Sequence, residues 1–437
     1  MPGQEGRNRR PAAGRFPLGA SITLAGLSGD PHPLLARLRA AEPVSWLPAL
    51  NGWLVTRRDL ALRVLRDART FTVDDPRFST ARVVGPSMLS LDGAEHARHR
   101  GPFTAGFSHD TVTARLSEFS EAESARLVAA MRPAGQGDLR REVAGPLAVA
   151  VIAEALGLGS ADPADILAWY SAIVTAVTDL AGEDGQRPGR PPGPEPGQPE
   201  PSQAEPSQPE LAGTEDARTK RARAGAEAFG QLDASLRRSL AAAPAERSLL
   251  AGSVGTGGLA VPEAVSNAAV LMFGGIETSE GMISNLMLHL LSNPDQLRLV
   301  AGDPALMANA IEESLRLEPA AAVVDRYATA DASIGGAQVR RGDLVSVSLA
   351  GAGRDPAVFS DPDRFDVRRP NARQHLTFAH GPHFCLGAHL ARLETAAAVQ
   401  AMLRMLPGLR LDPERPSAPA GLVFRKPPSL AARWDPA

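Results

Sequence analysis

The sequence predicts a mainly α-helical fold carrying small β-sheets. Three observations predict it. Apolar residues recur at helical spacing over several stretches, the longest from Val261 to Leu291. Strand signals are short and few, near the N-terminal third and the C-terminal end. A hydrophobic fraction of 43% supplies a core, and 437 residues admit one large domain or two or three small ones.

Composition narrows the function classes. A net charge of −3 gives no global pull toward nucleic acid or membrane. No apolar run reaches the roughly 18 residues of a spanning helix. Met1 to Arg15 is arginine-rich and lacks the apolar core of a secretory signal. Residues 1–20 are therefore expected to be a disordered tail, and the protein to be soluble and cytoplasmic. Cys385 is the only cysteine, which excludes an internal disulfide.

In chain order, Pro31 to Ala41 reads as an amphipathic helix. Pro43–Leu47 and Gly52–Thr56 read as a strand pair turning near Asn51-Gly52. Arg58 to Arg66 has helical spacing. Phe71 to Met88 is irregular, and a loop of that length is usually functional or mobile. Glu118–Met131, Arg141–Leu158 and Asp162–Leu180 read as helices, the second largely apolar and so buried. Residues 186–210 are Pro, Gly, Gln, Glu and Ser without apolar periodicity, which predicts a disordered insert. Helical periodicity resumes at Arg218–Ala241, Val261–Leu291 and Asn309–Leu317. Val339–Val347 is strand-like, with a turn at Arg341-Gly342-Asp343, and Gly421–Phe424 reads as a hairpin.

Three stretches carry chemistry. In the first, Leu91 to Arg100, His96 and Arg100 are four apart and share a helix face. Two such groups suit a bound carboxylate. The second is Phe273-Gly274-Gly275-Ile276-Glu277-Thr278, inside the longest helical pattern. Paired glycines there cost roughly 1 kcal/mol each and favour a kink. A hydroxyl four residues on can back-bond to a carbonyl and hold such a distortion.

The third is Phe378-Ala379-His380-Gly381-Pro382-His383-Phe384-Cys385-Leu386-Gly387, followed by a helical segment. A thiol at a helix start meets the positive end of the macrodipole, which favours thiolate. A thiolate there suits nucleophilic catalysis or iron ligation; a buried structural cysteine is the plainer alternative. A nucleophile needs a base, and a loop so rich in turn residues does not fix His380 or His383 as one. For ligation, Gly381 and Gly387 let a flat macrocycle approach the backbone, and Phe378 supplies an apolar wall.

This last run resembles F-x-x-G-x-x-x-C-x-G, the haem-binding loop of the cytochrome P450 family, and its soluble bacterial members most. The resemblance spans about Pro43 to Trp434 and implies a single P450 domain over residues 21–437. It places the 186–210 insert between two helices that cap the family's active site. It implies that Cys385 is the iron ligand of haem b, with Phe378, Gly387 and Gly274 beside the cofactor. His96, Arg100, Arg326 and His383 would hold the propionates. Glu277 and Thr278 resemble the family's acid–alcohol pair, which passes protons to bound oxygen. Glu313 and Arg316 resemble a buried E-x-x-R pair, and Pro362-Asp363-Arg364-Phe365 supplies Arg364 as its third member. Ala379 stands where the family often has glycine, which ordinary dihedrals would tolerate.

The function so implied is haem-thiolate monooxygenation. It would hydroxylate or epoxidise a bulky, largely apolar small molecule, by family habit a secondary metabolite. The pocket segments (Thr72–Met88, Trp169–Val177, Ala268–Gly274, Ala320–Val324 and Gly421–Phe424) are mostly apolar. It would use O2 and NAD(P)H-derived electrons from a separate ferredoxin and ferredoxin reductase. Arg98, His99 and Arg392 would form a basic docking face, and the protein would act as a monomer without nucleic-acid or membrane partners. Two other classes stay open: peroxide-driven oxidation or oxidative coupling at the same haem site, and a haem-binding sensor without catalysis.

Overall fold

A computed structural model of the chain describes residues 15–158, 162–186, 217–242, 248–255 and 257–436. The expected insert lies outside the described residues except for Gln186, which closes the helix Pro163–Gln186. Residues 1–14 of the expected tail also lie outside them. The rest of that tail is ordered, a correction with a clear cause. Glu42 accepts the Leu18 and Gly19 N–H groups at 2.9 and 3.0 Å, which fixes the short helix Pro17–Ser21, and Phe16 packs edge-on against Trp53.

The core is built on the helix Val261–Ser292, which is apolar nearly all round and is buried accordingly. Pro262 opens it, and Glu263 accepts the Ala260 N–H at 2.9 Å. The helices Gly145–Leu156, Ala388–Met405, Met307–Leu317 and Ala217–Ala242 pack against it.

Several boundaries moved for local reasons. The helix expected from Glu118 begins at His109, because the Ser108 side chain caps it by accepting the Thr111 N–H. The stretch Arg141–Leu158 divides into a π-helical turn, Arg140–Ala144, and an α-helix that Gly157 ends at φ +76°. Pro146 has no N–H to donate at that junction, so the regular ladder is interrupted there. The irregular segment 71–88 contains a strand, Phe71–Thr72, and a helix, Ser79–Val84, both too short to leave a periodic signature.

Among the described residues the strands form three sheets. The largest orders Val44–Leu47, Gly52–Val55, Leu344–Ser348, Val323–Ala328 and Phe71–Thr72. Trp46 pairs with Trp53 across the expected turn, and Asn51 there adopts φ +48°. The strand-like stretch 339–347 holds the end of one strand, Ala337–Val339, and most of another, Leu344–Ser348, separated at the predicted turn. Gly421–Phe424 forms no strand. An antiparallel bridge from Ala420 to Lys426 closes it as a hairpin-like turn, and a second bridge, Ala321 to Phe424, ties it to the core.

The buried acid of the helix Met307–Leu317 anchors the chain that leads to the cysteine loop. Glu313 receives Arg316 at 2.7 and 2.8 Å. Its second cation is Arg369, at 2.9 and 3.0 Å, and not the expected Arg364. The turn after Asp361, at φ +44°, points the Arg364 side chain outward. Only its carbonyl faces inward, accepting from Arg316 and Arg369 at 3.1 and 3.0 Å.

Candidate active site

The cysteine loop is closed by its own backbone: the Cys385 N–H donates to the Phe378 carbonyl at 2.9 Å. Gly381, at φ +75°, lies so close to the helix Arg58–Arg66 that a Cβ would meet the Leu65 carbonyl at 2.6 Å. Ala379 adopts φ +56°, against the expectation of ordinary dihedrals. Left-handed backbone costs a non-glycine roughly 1–2 kcal/mol, and the Ala379 N–H bond to Leu376 helps to hold it. Phe378 is buried, with the Arg392 guanidinium 4.4 Å from its ring centroid. Gly387 precedes the helix Ala388–Met405, and nothing lies within 4 Å of where its Cβ would be.

Cys385 is accessible, yet protein surrounds its thiol, so it lines an internal space. Burial pushes the thiol pKa up, and the Gly387 N–H and the charges of Arg100 and Arg392 only partly offset this. Burial thus opposes the thiolate that the helix start was expected to favour. Neither neighbouring histidine acts as a base for it. His380 caps the Gly381 N–H at 2.8 Å, and His383 bonds Asp92 at 2.7 Å. A thiol without a base and with a raised pKa makes a poor nucleophile, whereas a bound metal cation deprotonates it directly.

The four residues expected to hold carboxylates do come together in part. The His96 and His383 rings lie 4.3 Å apart. Arg100 donates to the Phe384 carbonyl beside the cysteine at 2.7 Å. Arg326 is buried, feels the charge of Asp92, and donates to the Asp325 carbonyl at 2.7 Å. His96 Nε2 is buried without a hydrogen-bond partner among the described residues. Burial, then the positive charges of His383 and Arg100, push the His96 pKa down to about 4. Cations thus outnumber anions here, and an orphaned ring nitrogen awaits a partner, a setting that fits a haem propionate.

Asp92 is the member that sequence reasoning missed. It accepts from Thr72 and the Val73 N–H as well as His383, which outweighs its burial and lowers its pKa to about 2. Its place before a helix signalled a cap, but its side chain makes no cap bond.

The second cluster lies at the middle of the helix Val261–Ser292. Thr278 Oγ1 donates back to the Gly274 carbonyl at 2.5 Å, as the spacing predicts. The two glycines differ. A Cβ on Gly275 would meet Ile152 at 3.2 Å, so that glycine serves packing. Gly274 is exposed in the middle of a buried helix, and no atom lies within 4 Å of its missing Cβ. It therefore borders an internal space. Glu277 pairs with Lys426 Nζ at 2.7 Å and accepts the Tyr170 hydroxyl. Glu280 shares Lys426 and meets Arg140 Nε at 2.9 Å. These partners come from three other elements and had no signal in the sequence.

The helices Val261–Ser292 and Ala388–Met405 are joined by Ser279 donating to the buried Glu394. Burial pushes the Glu394 pKa up to about 8, above the ordinary carboxyl value of ~4.3. Between those values the folded chain binds more protons than the unfolded one, so this group's stabilisation declines as pH rises and is lost above the folded pKa. Glu394→Gln is expected to gain stability over the parent between about pH 5 and about pH 9, read by denaturant unfolding at each pH. A difference independent of pH would show that Glu394 is ionised in the fold.

The residues of the expected docking face have partners within the chain. Arg98 is held by Glu263 and Glu95 at 2.6 and 2.8 Å, His99 is buried against Asn267, and Arg392 is paired with Glu312 at 2.6 Å. Internal partners occupy all three.

Comparison with known proteins agrees with this geometry. The Cytochrome P450 family model matches residues 305–428. Cytochrome P450 monooxygenase PikC of Streptomyces venezuelae is 32% identical over 434 residues, covering 93% of this chain and 92% of that protein. Vitamin D(3) 25-hydroxylase of Pseudonocardia autotrophica is 31% identical, covering 87% and 88%. The crystal structure of CalO2 aligns with a TM-score of 0.80 at 28% identity, over 94% of this chain and 98% of that one. A thiol loop beside a cation pocket, on a fold shared over nearly the whole chain, leads to one conclusion: the chain belongs to the haem-binding cytochrome P450 family, in the class of P450 monooxygenases.

Proposed function

We propose that the protein is a haem-thiolate monooxygenase that hydroxylates or epoxidises a bulky, largely apolar small molecule, a secondary metabolite by the habit of its relatives. The observation that carries this is the chain's one cysteine beside a pocket of cations with an orphaned His96 Nε2. Cys385 would hold the iron of haem b. His96, Arg100, Arg326 and His383 would hold its propionates, with Phe378, Gly387 and Gly274 around the ring. When bound, the haem supplies the activation of O2 by which one oxygen atom enters the substrate.

The protein's own part is to seat the substrate, limit water and deliver protons. Val84, Met88, Phe273 and Phe424 give the substrate an apolar setting, the last two packed edge-on at 5.5 Å. The Thr278 hydroxyl borders the open side of Gly274 and can pass a proton to water there, taking one in turn from Glu277, whose carboxylate would be reprotonated from solvent. Electrons derived from NAD(P)H would come from a ferredoxin and its reductase. With Arg98, His99 and Arg392 engaged, exposed Arg63 and Arg66 offer the charge to receive it, the latter beside His380 of the cysteine loop. The enzyme would act as a cytoplasmic monomer. Among the described residues no helix is long and apolar enough to cross a membrane.

Thr278→Ala tests the relay. Product formed per NAD(P)H is expected to fall about tenfold, with the electrons recovered as hydrogen peroxide and substrate affinity little changed. Undiminished coupling would favour peroxide-driven chemistry, which needs no relay from the protein.

A further inference from the structure

We propose that Lys426 and Tyr170 are positioning residues that clamp the Glu277 carboxylate, so that proton delivery depends on how the helix Pro163–Gln186 is seated. This rests on the reading of Glu277 as the relay acid.

Glu277 and Glu280 are three residues apart on one helix face, with side chains 13% and 12% exposed. Two carboxylates so placed repel each other and would share a proton if unpaired. Two cations balance them. Lys426 reaches both acids, and Arg140 reaches Glu280. Among 46 basic residues only Lys220 and Lys426 are lysines. An ammonium is a compact charge with three donors and can serve two carboxylates at once, whereas a guanidinium favours one of them bidentately. Tyr170 completes the set by donating to Glu277. Burial first, then the charges of Glu277 and Glu280, raise its pKa, so it remains a donor at any working pH.

Tyr170 and Lys426 lie in or beside segments expected to line the substrate pocket. Tyr170 belongs to Pro163–Gln186, which packs closely on Ala217–Ala242: a Cβ on Gly225 would come within 2.5 Å of the Ala176 Cβ. Lys426 follows Arg425, whose buried guanidinium bonds Glu318 at 2.7 Å and whose N–H donates to the Ala320 carbonyl at 2.8 Å, so that segment is anchored to the core. Arg140 opens the π-helical turn. A shift of the Tyr170 helix removes one restraint on Glu277, while the anchored C-terminal segment keeps Lys426 in place as the other. A substrate that seats the Tyr170 helix thereby sets the acid in place.

The test uses haem-loaded protein carrying Tyr170→Phe, Lys426→Met or Lys426→Arg, with Glu277→Gln in parallel. Without turnover, Tyr170→Phe is expected to raise amide exchange in Pro163–Gln186 and around Glu277 about fivefold. In turnover, Lys426→Met is expected to move the alkaline limb of product yield to higher pH, since two carboxylates that have lost the Lys426 ammonium hold a shared proton to higher pH. Lys426→Arg should restore part of the shift. Parental exchange in Tyr170→Phe and a parental pH profile in Lys426→Met would overturn the clamp. Parental product yield in Glu277→Gln would instead overturn the relay reading, leaving the exchange result to judge the clamp alone.

Discussion

Cys385→Ser is expected to abolish the strongly red-shifted Soret band of the reduced carbon monoxide complex and to lower turnover on the order of a thousandfold or more. The reason lies in the loop. Its thiol is ringed by protein, and its pKa is raised by burial despite the Gly387 N–H and the Arg100 and Arg392 charges. Bound iron would supply the missing positive charge, and thiolate donation would then shift the spectrum. A serine hydroxyl at the same place is far less acidic and cannot match that ligand. The backbone bond from Cys385 to Phe378 uses no side-chain atom, so the loop should persist and the effect should be one of ligation. An unshifted band in the parent would remove the basis for thiolate chemistry. A parent that binds no haem would return Cys385 to a structural role.

Glu313→Ala is expected to destabilise the fold by about 3–5 kcal/mol. Glu313 and Arg316 are 0% exposed, and Arg369 is nearly so. The acid accepts both guanidiniums and also the Asp366 N–H at 3.0 Å. Its loss strands two buried cations together. Thermal unfolding of the variant should come roughly 5–10 °C lower. Arg369→Ala should show a loss of similar order. Arg364→Ala is the control: its side chain is exposed and its carbonyl survives the exchange, so little change is expected. A large loss at Arg364 with none at Arg369 would restore the sequence-based triad and contradict the ion pairs seen here.

Much of the helical frame was legible because helix formation is written locally. The period of Val261 to Leu291 both forms the central helix and buries it, and Thr278 reaches the Gly274 carbonyl because four residues make one turn. Ends were less legible where one residue decided them, as Ser108 did by capping and Pro146 by lacking a donor. The cysteine loop was legible too, since its residues are contiguous and their spacing is the geometry.

Partner choice was not legible. Arg364 and Arg369 are five residues apart and chemically identical, and a turn at Asp361 selects the second. Asp92 meets His383 across 291 positions, and Lys426 meets Glu277 only because the C-terminal segment crosses the core. Burial likewise opposed the expected effect of the helix start on Cys385. The sequence by itself determined the helices, the sheet-poor fold and the residues proposed to bind iron and relay protons. Tertiary structure alone decided which charges pair and which groups lose water, because Coulomb attraction and desolvation depend on distance in space and carry no imprint in the order of the chain.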